Sequence, residues 1–491
     1  MLFLFRFASA QKADFFDKGL QDWTINGEVQ WDSLRGTDGS SCARLGAGSS
    51  MIQSVKVLPF SILQFTMDFK GSNEQSKGFS YIKFYNAGNQ ELLVYKSAPL
   101  SGSQYQNTGN YTEAPPFTQY AVIGIETDSL NTGYIYTDNF KLDLNIGLPD
   151  PKNIPACNPD EYMKPFWHSD TVINETVLLY SEKNKPATGR LLFEPDKILS
   201  VKRFDLQKNF KKNTDYQIQG RTITRSSHST IPFRVDTSFD TKNDLAWYNL
   251  QSQWVVVSYI HHDPWNGPVV QYKGNQLPDF MAKLKSKSPV KIIGFGMSIT
   301  RGMNISSYDQ VAPFMPSYLE LFTREIRKQY GYADIELTNA GLPGALVSWG
   351  AAYAEKYINP VKPDLVILDF GMNDFWRYTP AEFKKYTQTI IDKVKAGNAK
   401  TSFLLISNMD FDPDYILSSD KNKSFYTSNM QGYKRVLQEL ETMGIINLDM
   451  TTLSDAVYHR KKAKDCITNP LHPNDYMARW YAQCLAALIC Q

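Results

Sequence analysis

The alternation of apolar and polar residues changes along the chain, and its first form covers residues 13–147. Apolar and polar residues alternate strictly in the segment Leu63-Gln64-Phe65-Thr66-Met67-Asp68-Phe69. A period of two is typical of a strand with one face buried. Short runs of the same kind, separated by turns rich in Gly, Ser and Asn, predict further strands at 79–85, 91–96, 120–126 and 134–144. We therefore expect an antiparallel, jelly-roll-like β-sandwich.

The two ends of this region resemble the ends of carbohydrate-binding-module jelly rolls. Phe16, Gly19, Leu20 and Trp23 carry the resemblance at the start, and the run 137–142 carries it at the end. The resemblance implies a sugar-binding surface. A sandwich of this kind can also serve as a plain spacer, and the sequence leaves both roles open.

A second β-rich region follows a short linker. Prolines punctuate residues 148–158, and because proline donates no backbone hydrogen bond, this stretch is predicted to connect domains. From 159 to 286 the pattern predicts strands at 171–181, 189–193, 198–205, 230–235 and 254–262, with no helix of useful length. We expect a second β-sandwich that packs against the region after it.

From residue 287 to residue 491 the pattern becomes alternating strands and helices. Continuous apolar runs at 291–295, 335–338, 365–368, 403–406 and 445–448 are typical of strands buried on both faces, as in a parallel sheet. Helical stripes separate them, one opened by Thr379-Pro380-Ala381-Glu382, and the last helix spans 473–489. This pattern predicts a three-layer, flavodoxin-like α/β domain around a five-stranded parallel sheet.

The composition and the N-terminal segment bear on the partners and the location of the protein. A net charge of +2 over 491 residues gives no reason to expect nucleic acid or an anionic membrane as partner. The N-terminal apolar run ends in Ala8-Ser9-Ala10, which is typical of a signal-peptidase site. Residues 1–12 are therefore interpreted as a signal-peptide remnant, with a short strand as the alternative. The protein is expected to be exported to the periplasm, the cell surface or the medium.

The five cysteines show no metal-binding spacing, so neither a metal nor a cofactor is predicted. Cys466 could pair with Cys484 or Cys490 in an oxidising compartment, but the spacing does not decide it. The sequence gives no indication of the oligomeric state.

Candidate chemistry lies where the predicted parallel strands end. Ser298 follows the first strand, Gly344 the second and Asn373 the third, while His472 directly precedes the last helix. Ligands bind at the carboxyl edge of such sheets. A serine hydroxyl becomes a nucleophile when a histidine takes its proton. The backbone N–H groups of Ser298 and Gly344 and the amide of Asn373 could then form an oxyanion hole.

These four turns resemble, in order, the sequence blocks of the SGNH (GDSL-like) hydrolase family over about 200 residues. The resemblance implies that Ser298 is the nucleophile and His472 its base. Two positions depart from the family pattern: Met297 stands where Asp usually precedes the serine, and Asn469 stands where the triad Asp usually lies. Three arrangements remain open: a Ser–His dyad oriented by a backbone carbonyl, a replacement carboxylate such as Asp465 or Asp475, or a catalytically poor domain.

The resemblance, the predicted export and the two β domains together predict a carbohydrate acetylesterase of the multidomain bacterial type. The substrate would be an acetylated polysaccharide or oligosaccharide, cleaved through an acyl-Ser298 intermediate. Three alternatives stay open. They are a lipase or thioesterase with the same site, a glycan-binding protein with a degenerate hydrolase domain, and an O-acetyltransferase.

Overall fold

The computed structural model describes residues 10–14, 16, 19–145, 157–182, 185–235, 251–412 and 422–490. The chain divides into two compact units, Met1–Leu148 and Pro149–Gln491. The first nine residues of the predicted signal-peptide remnant lie outside the described residues, as does most of the predicted linker. Residues 10–12 belong to the first strand of unit 1.

Unit 1 is built from antiparallel strands. Those described are β1 (Ala10–Asp14), β2 (Thr24–Asn26), β3 (Val29–Asp32), β4 (Cys42–Leu45), β5 (Ser50–Lys56), β6 (Ile62–Gly71), β7 (Gly78–Tyr85), β8 (Glu91–Lys96), β9 (Gln106–Glu113), β10 (Tyr120–Thr127) and β11 (Ile135–Asn145). One sheet has the order β3-β4-β11-β6-β9, with β1 paired to β11, and the other has the order β2-β5-β10-β7-β8. The predicted β-sandwich is confirmed.

The predicted alternation is visible in β6. Leu63 and Phe65 are fully buried, while the intervening Gln64 is exposed. Leu63 and Phe65 point to the core side of the pleat because successive side chains of a strand lie on opposite faces. Phe65 contacts Phe140 of β11, and Phe140 contacts Trp23 edge to face, with ring centroids 5.0 Å apart.

Unit 2 begins with two three-stranded antiparallel sheets among its described residues. Their strands are β12 (Thr171–Leu178), β13 (Thr188–Arg190), β14 (Lys197–Arg203), β15 (Tyr216–Gln219), β16 (Thr222–Arg225) and β17 (Trp254–Ile260). The first sheet has the order β12-β17-β14 and the second β13-β16-β15. The second β-rich region is therefore confirmed.

Two predictions for this region were wrong in detail. Residues 230–235 form no strand, only an isolated bridge between Arg234 and Tyr180. Pro232 has no backbone N–H to donate to a neighbouring strand. The Ile231 carbonyl oxygen accepts from the Arg225 side chain rather than from a strand. In addition, a helix spans Pro278–Ser286, where none was predicted. Its apolar stripe is only two turns long, too short to stand out as a periodic pattern.

The rest of unit 2 alternates strands and helices as predicted. The helices are α1 (Pro278–Ser286), α2 (Ser298–Arg301), α3 (Tyr318–Tyr330), α4 (Val347–Tyr357), α5 (Pro380–Gly397), α6 (Lys423–Gln438), α7 (Met450–Tyr458) and α8 (Asp475–Ile489). The strands are β18 (Val290–Gly296), β19 (Ile335–Gly341), β20 (Leu365–Asp369), β21 (Ser402–Ser407), β22 (Ile445–Asp449), β23 (Ile467–Asn469) and β24 (His472–Pro473). Among the residues described, β19-β18-β20-β21-β22 form the predicted five-stranded parallel sheet.

The β-rich part of unit 2 packs directly against the α/β part, as predicted. Three buried charged residues, Glu175, Lys461 and Asp465, form what we call the junction cluster. The Lys461 ammonium contacts the Glu175 carboxylate and donates to the Thr176 carbonyl oxygen at 2.8 Å. The Asp465 carboxylate accepts from the Leu178 N–H at 2.7 Å. These contacts fix β12 to the segment that leads into β23 and β24.

Candidate active site

The candidate site lies at the carboxyl edge of the five-stranded sheet. Gly296, the last residue of β18, is level with Gly341 of β19 and Asp369 of β20. The turns that follow these three strands therefore leave the sheet side by side. The predicted site residues follow the carboxyl ends of these strands, so they can meet only if the strands are paired in this register.

Ser298 begins α2 in a tightly held turn and is 5% exposed. The Met297 N–H donates to the Thr300 hydroxyl at 3.1 Å, and that hydroxyl donates to the Asp369 carboxylate at 2.9 Å. Asp369 is fully buried and also accepts from the hydroxyl of Tyr318 at 2.8 Å. Burial raises the pKa of Asp369 to about 6. The serine turn is thus tied to the end of the neighbouring strand.

His472 lies against Ser298. The imidazole Nε2 is 2.7 Å from the Ser298 Oγ, a hydrogen-bond distance. His472 opens β24, which pairs with β23 so that His472 lies opposite Asn469. Burial lowers the pKa of His472 to about 4.

Of the three residues considered as orienters of the imidazole, Asn469 is the one that touches it. Its Nδ2 lies 2.7 Å from the His472 Nδ1. The two carboxylates are used elsewhere: Asp465 belongs to the junction cluster, and Asp475 accepts from the N–H and hydroxyl of Ser306 at 2.8 and 2.6 Å. The ring therefore faces an amide at the position where a triad carboxylate would lie.

Gly344 and Asn373 lie on adjoining turns. Gly344 is exposed, has a φ of +76°, and has no heavy atom within 4 Å of the position that a Cβ would take. The Asn373 Nδ2 donates to the Ala345 carbonyl oxygen at 3.0 Å and lies 3.7 Å from the Met297 Sδ. A thioether is a weak acceptor, so one amide hydrogen of Asn373 faces the serine turn without a strong partner.

A buried carboxylate joins these two turns. Asp374 accepts from the Val347 N–H at 2.8 Å and from the Gly371 N–H at 2.9 Å. Burial raises its pKa to about 7. Because Val347 follows the Gly344 turn and Gly371 precedes Asn373, the carboxylate of Asp374 holds the two candidate donors in one arrangement.

Residues 295–480 match the model of the GDSL-like lipase/acylhydrolase family. The C-terminal part of the chain therefore contains a GDSL-like lipase/acylhydrolase domain. The matched segment of the GDSL-like domain contains Ser298, Gly344, Asn373 and His472, and it also contains both departures from the family pattern, Met297 and Asn469. A search of curated proteins found no match to the chain.

Solved structures similar to this chain include separate matches to hydrolases and to sugar-binding modules. A two-domain esterase (CEX) active on acetylated mannans is 23% identical with a TM-score of 0.35, and the match covers 45% of this chain and 54% of that one. An acetyl xylan esterase, AlAXEase, is 20% identical with a TM-score of 0.31, covering 40% and 97%. The CBM22-1 xylan-binding domain from Paenibacillus barcinonensis Xyn10C is 11% identical with a TM-score of 0.24, covering 27% and 93%.

The described residues also bear on metal binding, on the state of the cysteines and on membrane-spanning helices. Within the described ranges, no three or more His, Cys, Asp or Glu side chains are grouped so that they could hold a metal ion. All five cysteines lie in the described part of the chain and are free thiols. No described helix is long and apolar enough to cross a membrane.

Sequence reasoning missed the residues that support the GDSL-like domain's site from behind. Asp369 directly follows the strand predicted at 365–368, so its position at the sheet edge was a usable signal. Asn304, whose Oδ1 accepts from the Asn469 Nδ2 at 3.0 Å, gave no such signal. It lies in an irregular turn with a φ of +67°, a conformation that asparagine tolerates better than most residues.

Proposed function

We propose that the protein is a serine esterase that removes O-acetyl groups from a polysaccharide or oligosaccharide through an acyl-Ser298 intermediate. The observation that carries this proposal is the 2.7 Å contact between the Ser298 Oγ and the His472 Nε2. The match of the surrounding segment to an acylhydrolase family supports it.

The reaction has two acyl-transfer steps. The Ser298 oxygen attacks the ester carbonyl while His472 takes the hydroxyl proton, which then passes to the departing sugar oxygen. Water next attacks the acyl-serine ester, gives a proton to His472, and acetate leaves as the Ser298 hydroxyl is restored. The oxyanion of each tetrahedral intermediate would accept from the N–H groups of Ser298 and Gly344 and from the Asn373 amide. No cofactor takes part.

An aromatic cluster beside Asn373 supports a sugar as the alcohol part of the substrate. Trp376 and Tyr426 are partly exposed and pack edge to face, with ring centroids 5.8 Å apart. Buried Phe375 packs on Trp376 and stacks on Phe411, which holds the cluster in place. Rigid aromatic rings with a polar edge suit ligands that have one apolar face and several hydroxyls. A polysaccharide substrate also agrees with export, which is part of this proposal.

The direct experiment is hydrolysis of p-nitrophenyl acetate by the full chain. Ser298→Ala should lower kcat/KM by at least about 10³-fold because the acyl acceptor is lost. Ser286→Ala, at the exposed end of α1, is the matched control and should keep full activity. Release of acetate from acetylated mannan or xylan, measured on the same proteins, tests the substrate class. Unchanged activity in Ser298→Ala would contradict the proposal.

Two alternatives give different results in these assays. A lipase or thioesterase would hydrolyse p-nitrophenyl octanoate faster than the acetate. A glycan-binding protein with an inactive hydrolase domain is favoured by the amide at Asn469. It would be retarded in a polysaccharide affinity gel and would cleave no ester.

A further inference from the structure

The amide of Asn469 has its orientation fixed by its own backbone neighbours. Its Oδ1 accepts from the N–H groups of Leu471 and His472 at 3.0 and 3.1 Å. The same side chain's Nδ2 therefore points the other way, toward the His472 Nδ1. Turning the amide over would place its NH₂ group against two backbone N–H donors. The hydrogen-bond network, rather than the shape of the group, assigns the oxygen and the nitrogen.

A second amide fixes the same orientation from the other side. The Asn469 Nδ2 donates to the Asn304 Oδ1 at 3.0 Å. The Asn304 side chain in turn hydrogen-bonds the carboxyl group of Asp309. Gln251 braces this end, donating to the Asp309 carboxylate at 2.8 Å and to the Asn304 carbonyl oxygen at 3.1 Å. A reversed Asn469 would set its oxygen against the oxygen of Asn304.

This polarity decides where the imidazole carries its proton. An N–H of Asn469 that faces the His472 Nδ1 makes Nδ1 an acceptor, and a neutral imidazole has one donor and one acceptor nitrogen. The proton then lies on Nε2, where it points at the Ser298 oxygen. A general base needs the opposite tautomer, with Nδ1 protonated and a free lone pair on Nε2.

We propose that Asn469 is a positioning residue that holds His472 in the Nε2–H tautomer and thereby limits acyl transfer. This inference rests on the proposed esterase function. The same N–H also opposes formation of the imidazolium ion, whose Nδ1–H would meet a donor.

Asn469→Asp is the first test. The new carboxylate keeps the two acceptor bonds to the backbone, and its second oxygen can accept from an Nδ1–H. We expect kcat for p-nitrophenyl acetate to rise by about 10²-fold or more, with little change in KM, since the reverse exchange in a serine protease costs about 10⁴-fold. Asn398→Asp, at the end of α5, controls for the added charge. Adding Ser298→Ala to Asn469→Asp should abolish the gain.

The second test reads the tautomer directly. ¹⁵N-labelled histidine distinguishes protonated from unprotonated ring nitrogens by NMR, and His472→Gln identifies the signals of this one among six histidines. We expect the proton on Nε2 in the wild type and on Nδ1 in Asn469→Asp. A wild-type ring protonated on Nδ1 overturns the proposal.

The two measurements also keep this inference separate from the proposed function. If wild-type activity depends on Ser298 and the variant ring carries its proton on Nδ1, an unchanged or lower kcat overturns the limiting role of Asn469. If neither protein hydrolyses any ester, the esterase function is refuted, and the wild-type NMR spectrum still decides the tautomer.

Discussion

At the scale of single residues, the surroundings of His472 set the pH range of the proposed activity. The ring is partly buried and has an amide rather than a carboxylate at Nδ1. Desolvation disfavours the charged form of a base and so lowers its pKa, here to about 4. The neutral form that catalysis needs therefore persists well below pH 6.5, the ordinary pKa of histidine.

We expect kcat/KM for p-nitrophenyl acetate to stay level from about pH 8 down to about pH 5 and to fall only near pH 4. The measurement is a pH–rate profile of the free enzyme's kcat/KM between pH 4 and pH 8. A fall centred near pH 6.5 would contradict the assigned environment. The profile of Ser286→Ala should coincide with that of the wild type.

The residues proposed to perform the chemistry could be predicted from the sequence, but those that orient them could not. Ser298 and His472 each adjoin a strongly patterned element, and the resemblance to the SGNH hydrolase family implied their roles. The role of Asn304 depends on a turn whose backbone has no periodicity. That its Oδ1 meets the Asn469 amide follows only from the folded path of the chain, since 165 positions separate the two residues.

At the scale of elements, α5 and α8, the two helices that the sequence analysis located, begin with different caps. At α5, the Thr379 hydroxyl accepts from the Glu382 N–H at 3.4 Å in an exposed capping box. At α8, the Asn474 Oδ1 accepts from the N–H groups of Tyr476 and Met477, and its Nδ2 donates to the Asp465 carbonyl oxygen at 2.9 Å. The Asn474 cap is therefore also part of the buried core.

We expect Thr379→Ala to lower the free energy of unfolding by about 1 kcal/mol, the usual contribution of an N-cap. Asn474→Ala should cost about 1–3 kcal/mol more, because it also leaves a buried carbonyl oxygen with fewer donors. Urea unfolding of both variants measures the difference. Equal losses would mean that the α8 cap acts locally, as the α5 cap does.

Elements were predictable where a pattern ran long enough. The five parallel strands read as continuous apolar runs because both faces of each are covered. The short helix α1 has three buried apolar residues, too few to separate from chance. The segment 230–235, which was wrongly predicted to be a strand, contains a proline. Proline argues against a strand, but the prediction gave more weight to the β-like composition of the segment.

At the scale of the whole chain, removing unit 1 and removing the middle β-rich region of unit 2 should have different effects on the stability of the hydrolase domain. Unit 1 has its own sheets and core, and the junction cluster lies entirely within unit 2. Deleting the middle β-rich region would take away Glu175 and leave the ammonium of Lys461 and the carboxylate of Asp465 without the β12 partners that they have in the interior.

We expect residues 149–491 alone to keep kcat/KM for p-nitrophenyl acetate within about threefold of the full chain. Residues 287–491 alone should be unfolded or inactive, because breaking a buried ion pair costs about 3–5 kcal/mol. Circular dichroism and the esterase assay on both fragments measure this. An active 287–491 fragment would show that the hydrolase domain folds without the middle region.

The hydroxyl of Thr176 accepts from Asn474, a residue that stands 298 positions later and directly follows the pair His472–Pro473. One consequence concerns ancestry rather than chemistry. A recombination event that exchanged the C-terminal segment without the middle one would break the contact between Asn474 and Thr176 that lies next to His472. Selection should act against the resulting sequences. The two segments should therefore be inherited together.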